Sequence, residues 1–163
     1  MKQFVYIVFL LLSLHVSAQT EKNYGIQFYH GTWKEACDKA KAENKLIFVD
    51  FYTKWCGPCL NMAENVFILP FIGDFYNTNF VNMKIDAENG EGVELAKRYG
   101  VNSYPTYVFV DPKNGDVVHQ SKSRQEAEQF LATGKSALVP ELRSGYLIEE
   151  FAKGRDDREF LKN

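Results

Sequence analysis

Two cysteines separated by only two residues constrain this chain more than any other feature of its sequence. Cys56 and Cys59 enclose Gly-Pro and follow a short apolar run, LIFVDFY, at residues 46–52. The run is rich in residues that favour strands and too short for a typical helix, so it predicts a buried strand. The residues from Pro58 onward predict a helix, since proline suits a first helical turn. We therefore expect the cysteine pair where a strand gives way to a helix.

A thiol at the start of a helix is chemically activated. The first turn presents unpaired N–H groups and a partial positive charge, which stabilise a thiolate. We expect the pKa of Cys56 to fall from about 8.5 toward about 7. The thiolate is the nucleophile of thiol–disulfide exchange, and Cys59, one turn later, can reach back and close a small ring. The pair predicts redox chemistry through a Cys56–Cys59 disulfide, with no other cofactor.

Two alternatives to redox chemistry are a zinc site and a purely structural disulfide. A structural zinc site needs four Cys or His ligands. Outside the first eighteen residues the chain adds only Cys37, His30 and His119, none at ligand spacing. A ring closed over so few residues constrains the unfolded chain little. We therefore expect no metal and favour a redox role over a structural one.

Hydrophobic periodicity and turn residues predict an α/β domain. Predicted strands cover residues 46–52, 80–86, 106–110 and 116–120, and predicted helices cover 33–44, 57–67, 71–79, 91–99 and 123–135. Strands joined through helices are expected to pair in parallel, and Asn114-Gly115 predicts a tight turn between antiparallel strands. The order predicts a mixed central sheet flanked by helices, with one helix in front.

The amino terminus has the layout of a secretory signal peptide. Lys2 precedes nine unbroken apolar residues, 4–12, and Val16-Ser17-Ala18 has small or aliphatic residues before a cut at Gln19. A membrane-spanning helix needs about 20 apolar residues, so the run is too short to be one. We expect residues 1–18 to be removed and the protein to be exported, to the periplasm.

Composition and charge exclude several kinds of partner. The 163 residues are 45% apolar and 25% charged, as in ordinary globular domains. The net charge is −2 and no Lys/Arg cluster is present, which argues against nucleic acid and against an anionic membrane surface. The oligomeric state is left open by the sequence.

Two segments carry a resemblance to a known family. VDFYTKWCGPC, residues 49–59, resembles the active-site segment of thioredoxin, and Ser103-Tyr104-Pro105-Thr106 resembles the loop with that family's cis-proline. The resemblance implies a thioredoxin-like α/β fold, a mixed sheet flanked by helices, and thiol–disulfide oxidoreductase activity. The lead-in at 25–45 is similar to exported thioredoxin-like proteins related to the soluble domains of disulfide reductases.

The resemblance implies a catalytic role for four residues. Cys56 matches the attacking thiol and Cys59 the resolving thiol. Asp50 matches a buried aspartate whose raised pKa lets it accept and return the proton of Cys59; a turn-capping aspartate at the strand end is the alternative. Lys84 matches a lysine near that aspartate, and a solvent-facing strand residue is its alternative.

Five further residues are expected to contact substrate by the same resemblance. Trp55 matches the tryptophan beside the site, with packing alone as its alternative, and Gly57 and Pro58 complete the motif. Pro105 is expected to be cis and to lie against the cysteines. The backbone of Tyr104 is then expected to pair with an extended segment of a substrate.

The direction of electron flow is suggested by the residues between the cysteines. By family resemblance Gly57-Pro58 is of the reducing type, so we expect a reductase of disulfides in exported proteins, supplied with electrons by a membrane donor. An oxidase or isomerase, a reductase of apocytochrome c and a non-catalytic binding module are alternatives. Leu60 stands where thioredoxin usually has lysine, and Tyr104 replaces a small aliphatic residue, which leaves the substrate open.

Two features lie outside this resemblance. Cys37 falls on the apolar stripe of the first helix and is read as a small buried hydrophobe, with a regulatory or intermolecular thiol as the alternative. Pro140 predicts the start of a helix that Gly154 ends, and a further short helix is expected after it, either folded back on the domain or leading into a longer protein. The expected divisions are a signal peptide at 1–18, a thioredoxin-like domain at 19–135 and a helical extension at 136–163.

Overall fold

Strands and helices follow one another in the order expected from the sequence. The computed structural model describes residues 24–155, so the predicted signal peptide and the expected final helix lie outside the described residues. The strands are β1 (Leu46–Tyr52), β2 (Phe80–Asp86), β3 (Thr106–Val110) and β4 (Val117–Lys122). The helices are α1 (Trp33–Glu43), α2 (Gly57–Asn65), α3 (Pro70–Asn79), α4 (Glu91–Arg98), α5 (Ala127–Leu138) and α6 (Ser144–Ala152), with a 3-10 turn at Pro140–Leu142.

The four strands form one mixed sheet in the order β2-β1-β3-β4. β1 runs parallel to β2, and β3 runs antiparallel to β4, as the sequence predicts. Within the sheet Asp50 of β1 lies opposite Lys84 of β2 on one side and Tyr107 of β3 on the other. The centre of the sheet therefore places a carboxyl group between two neighbouring strands.

The expectation that every helix-linked pair of strands is parallel is wrong for β3. It lies beside β1 and runs antiparallel to it. A parallel crossover must return the chain along a strand of seven residues, about 23 Å. The eight residues of α4 rise only about 12 Å, and the loop after α4 leads back to the end of the sheet at which β2 finished.

The carboxyl-terminal helices differ from their predicted bounds. α5 begins at Ala127 rather than at residue 123 and runs to Leu138 rather than stopping at 135. The single helix expected from Pro140 is instead a 3-10 turn and α6, separated by Arg143 in an extended conformation. The Arg143 side chain donates a hydrogen bond to the carbonyl of Ala137, which favours this break.

Side chains leave the sheet alternately toward two cores. One core lies between the sheet and helices α1 and α4, and the other lies between the sheet and helices α2, α3 and α5. The second core is largely aromatic, and the rings of Tyr76 and Phe130 stack in it with centroids 4.6 Å apart. Cys37 packs against the first core but is only partly buried. None of the helices in residues 24–155 is long and apolar enough to cross a membrane.

Candidate active site

The two cysteines of the motif form a disulfide at the amino end of α2. Their Cα atoms are 5.3 Å apart. Cys56 is the N-cap of α2, and its Sγ accepts a hydrogen bond of 3.1 Å from the backbone N–H of Cys59. Pro58 occupies the first turn of the helix. When the disulfide is reduced, this N–H and the positive end of the helix favour a thiolate on Cys56.

A hollow of about 240 Å³ adjoins the disulfide. Both cysteines border it, together with the rings of Tyr52 and Trp55 and the side chain of Lys84. An added Cβ at Gly57 would meet no atom of the described residues within 4 Å, so they leave the backbone at that position open to an approaching chain. The structure thus brings Lys84, which is 25 to 28 residues beyond the cysteines in the sequence, to the same hollow as the cysteines.

Asp50 is buried behind this hollow, with 1% of its surface exposed. It lies inside β1 and not at a turn, and neither of its carboxyl oxygens has a hydrogen-bond partner among the described residues, 24–155. On the same face of β1, Phe48 packs in one core with Met62 of α2. Because alternate residues share a face, Asp50 is the next side chain on that face toward the cysteines.

Burial raises the pKa of Asp50 to about 7, and the positive charge of Lys84 partly offsets that effect. An acid with a pKa near the working pH exchanges its proton readily in both directions. This is the property required of a group that takes a proton from a thiol and later returns it.

Lys84 is held between two aromatic rings. Its Nζ lies 4.9 Å from the ring centroid of Tyr52 and 6.0 Å from that of Phe28, in cation–π geometry. The side chain is half-buried rather than extended into solvent. Its charge is therefore kept near Asp50, its partner across the β1–β2 pair.

Three exposed or half-exposed side chains form an apolar rim around the disulfide: Trp55, Leu60 and Tyr104. Trp55 is 69% exposed and Leu60 is 58% exposed. The rings of Trp55 and Tyr104 meet edge to face, with centroids 5.9 Å apart. Such exposed apolar surface beside a reactive group is typical of a binding site.

Glu88 is a site residue that the sequence analysis missed. Both oxygens of its carboxylate accept hydrogen bonds from Trp55 Nε1–H, at 3.0 and 3.1 Å. Glu88 lies in the loop after β2, 33 residues from Trp55. A single glutamate in a polar loop carries no sequence signal of such a contact.

The Tyr104–Pro105 peptide bond is cis in the structure. The next residue, Thr106, pairs with Phe51 near the end of β1. Pro105 is therefore level with the start of the loop that carries the cysteines, and the Tyr104 ring reaches Trp55. Within residues 24–155 no group of three or more His, Cys, Asp or Glu side chains is arranged to hold a metal ion.

Comparison with known proteins assigns the family. A family model described as a thioredoxin-like domain matches residues 33–138. Thioredoxin-1 of Drosophila yakuba is 46% identical over 69 residues, which cover 42% of this chain and 60% of that relative. The chain thus spans less than two thirds of the length of this curated relative.

Solved structures agree with this assignment. The solution structure of a putative disulphide-isomerase from Bacteroides thetaiotaomicron is 41% identical with a TM-score of 0.65, and the match covers 72% of this chain and 97% of that one. A thioredoxin from Thermus thermophilus is 28% identical with a TM-score of 0.63, over 71% and 88% of the two chains. The chain belongs to the thioredoxin-like family. Its close pair of cysteines, Cys56 and Cys59, forms a disulfide at the start of α2.

The substitution Asp50→Asn is expected to change how stability depends on pH. A raised pKa in the folded state means that the folded protein holds this proton more tightly than the unfolded chain, so wild-type stability falls as pH rises from about 4 to about 7. With a pKa near 7 in place of 3.8, that loss amounts to about 3–4 kcal/mol. Asparagine does not ionise, so Asp50→Asn should not lose stability in this way as the pH rises.

Urea denaturation of the oxidised protein at pH 4 and pH 8 measures this effect. The stability of Asp50→Asn relative to wild type should increase by about 3–4 kcal/mol between the two pH values. The exposed Asp74 provides the matched control, since Asp74→Asn should follow wild type at both. Parallel pH profiles for wild type and Asp50→Asn would contradict the raised pKa.

The substitution Glu88→Ala is expected to loosen Trp55 and weaken reaction with protein disulfides. Loss of a charge-assisted hydrogen bond should reduce kcat/KM roughly three- to tenfold and move the indole N–H resonance of Trp55. Glu88→Gln keeps an acceptor oxygen and should restore part of the loss. Glu64→Ala, at an exposed position of α2, serves as the control. An unchanged indole resonance in Glu88→Ala would show that the contact does not persist in solution.

Proposed function

We propose that this protein is a disulfide reductase of the cell envelope that reduces disulfides in exported proteins. The observation that carries the proposal is a redox disulfide at a helix start, with a buried carboxyl group of raised pKa behind it. The cysteine pair, once reduced, supplies a nucleophile, and the buried carboxyl group supplies a proton acceptor.

In the first step the Cys56 thiolate attacks one sulfur of a substrate disulfide. The substrate S–S bond breaks, a mixed disulfide forms through Cys56, and the leaving sulfur of the substrate takes up a proton from solvent. The hydrogen bond from the backbone N–H of Cys59 and the start of α2 stabilise the attacking thiolate before this step.

In the second step Cys59 resolves the mixed disulfide. The Cys59 thiol gives its proton to the carboxylate of Asp50, and the resulting thiolate attacks the Sγ of Cys56. The bond between Cys56 and the substrate breaks, and the second substrate sulfur leaves and receives the proton that Asp50 held. The substrate has gained two electrons and two protons, and the Cys56–Cys59 disulfide is restored.

The apolar rim and the Tyr104 loop are proposed to bind the substrate. Trp55, Leu60 and Tyr104 would cover apolar residues beside the substrate disulfide, and the backbone of Tyr104 would pair with an extended segment. Leu60 supplies no positive charge next to Cys59, so substrate choice here is proposed to rest on apolar contact rather than on charge. Nucleic acid is not proposed as a partner, given the net charge of −2.

The reducing direction and the location rest on sequence features. Gly57-Pro58 between the cysteines resembles the reducing type, and residues 1–18 have the pattern of a signal peptide. A reductase outside the cytoplasm must be re-reduced, so we propose a membrane electron donor that exchanges its dithiol with the Cys56–Cys59 disulfide.

Disulfide isomerisation is a second candidate function. The similarity to a putative disulphide-isomerase, at 41% identity, favours it, as does an apolar rim that would bind unfolded segments. Isomerases differ from reductases chiefly in reduction potential, so one measurement separates the two.

The equilibrium reduction potential of the Cys56–Cys59 pair is the test of direction. The full chain carrying Cys37→Ser should be equilibrated in dithiol–disulfide buffers and its thiol content measured by alkylation and mass spectrometry. A reductase should give a potential near or below about −250 mV. A value above about −180 mV would contradict the reducing assignment and favour an oxidase or isomerase. Cys59→Ser should meanwhile accumulate mixed disulfides through Cys56, whereas Cys56→Ser should form none by this route.

The proposed export can be tested on the protein made in cells. Mass spectrometry of the accumulated protein should find an amino terminus at Gln19, because the signal peptide is cut after Ala18. Ala18→Arg should block the cut, while Ala42→Ser, a small change at an exposed position of α1, should leave it unaffected. Recovery of wild-type protein that still begins at Met1 would argue against export by this route.

A further inference from the structure

Tyr107 of β3 is fully buried, and its hydroxyl group has no hydrogen-bond partner within the part of the chain that the structure describes. The ring packs against the rings of Phe48, Phe67 and Phe130, with centroids 6.2, 6.4 and 5.1 Å away. Those side chains offer no polar atom to a hydroxyl. A buried hydroxyl without a partner costs free energy that phenylalanine at the same position would avoid. Packing alone therefore does not account for the hydroxyl of Tyr107.

Asp50 presents a second unpartnered polar group on the same face of the sheet. Asp50 and Tyr107 are directly opposite each other on antiparallel strands, so their side chains leave the sheet on the same side. Both oxygens of the Asp50 carboxyl group are buried, and neither has a hydrogen-bond partner in residues 24–155. Burial, and to a smaller extent the negative charge of Asp50, raises the pKa of Tyr107, which keeps its hydroxyl protonated and able to donate.

We propose that Tyr107 is a positioning residue for the proton acceptor of the site. Its hydroxyl donates a hydrogen bond to the ionised carboxylate of Asp50, through one bridging water or after a small side-chain rotation. Buried polar groups in proteins nearly always acquire such a partner. This inference rests on the proposed function, in which Asp50 takes the proton of Cys59.

The groups that face Asp50 come from each element packed around it. Lys84 approaches from β2, Tyr107 from β3, and Cys59 belongs to α2 above the same face. On β1 itself, Tyr52 shares the face of Asp50, and the Asp50 charge contributes to the raised pKa of Tyr52 after burial and Asp86. Tyr76 of α3 also has a buried hydroxyl in this core, but that hydroxyl already donates to the carbonyl of Phe130 at 2.8 Å. The Asp50 carboxylate is thus flanked by a positive charge on one side and a hydroxyl donor on the other.

A hydrogen bond donated to a carboxylate favours its charged form. Tyr107 would therefore hold the pKa of Asp50 lower than burial alone would set it. Without this donor more of Asp50 would be protonated at neutral pH, and less of it could accept the proton of Cys59. Tyr107 keeps its own proton throughout. The proton that moves is still transferred from Cys59 to Asp50, and Tyr107 neither gains nor loses one.

The test is a titration of the Asp50 carboxyl carbon by NMR in the oxidised full chain. Tyr107→Phe should raise the pKa of Asp50 by about one unit and move the pH profile of substrate reduction upward by a similar amount. Tyr99→Phe is the matched control, because it also removes a buried hydroxyl without a partner, but from the opposite core. Tyr99→Phe should change neither the pKa of Asp50 nor the pH profile of substrate reduction.

An unchanged Asp50 titration in folded Tyr107→Phe would overturn the proposal. If that variant does not fold, the Cζ resonance of Tyr107 in the wild-type chain decides: it should titrate with the midpoint of Asp50, and a flat response would also overturn the proposal. Failure of the proposed function looks different. Asp50→Asn would then resolve mixed disulfides at the wild-type rate, whatever the titration of Tyr107→Phe shows.

Discussion

A single carboxyl group buried in the central strand is the constraint on which the site depends. Asp50 lies among apolar side chains, and its ionised form is disfavoured there enough to raise its pKa to about 7. Such a group destabilises the folded protein at and above neutral pH. The large aromatic core around Tyr76 and Phe130 provides the apolar burial that offsets this cost. A costly group in a well-packed strand is more readily understood as part of a reaction than as part of the fold.

The position of β3 explains how distant segments reach that carboxyl group. Because β3 runs antiparallel to β1, its first residues lie beside the last residues of β1. Tyr104 and Pro105 are thereby brought to the same end of the sheet as the cysteines. Had β3 run parallel, its start would have been at the opposite end, and Tyr104 could not have met Trp55. The expected strand pairing was wrong only in the direction of β3, and it is the antiparallel direction of β3 that assembles the site.

How well the sequence predicts a contact depends on how far apart the two residues are in the sequence. The strand before Cys56, the helix after it and the burial of Asp50 follow from residues within a few positions of one another, and the structure has all three. The contact of Glu88 with Trp55 joins a loop to a loop, and no periodicity or turn rule reports such a pair. The break at Arg143 has the same origin, because it depends on a carbonyl six residues away rather than on local helix preference.

The two edges of the sheet bear on where a substrate strand can pair. At the β4 edge, Ser144 accepts a hydrogen bond from the backbone N–H of Gln120 and donates its own N–H to His119 Nδ1. At the β2 edge, the backbone N–H of Tyr29 donates to the carbonyl of Asn82. Covered edges resist pairing with other chains. Under the proposed function, covered edges would leave the backbone of Tyr104, whose ring contacts Trp55 beside the disulfide, as the place where an extended substrate pairs.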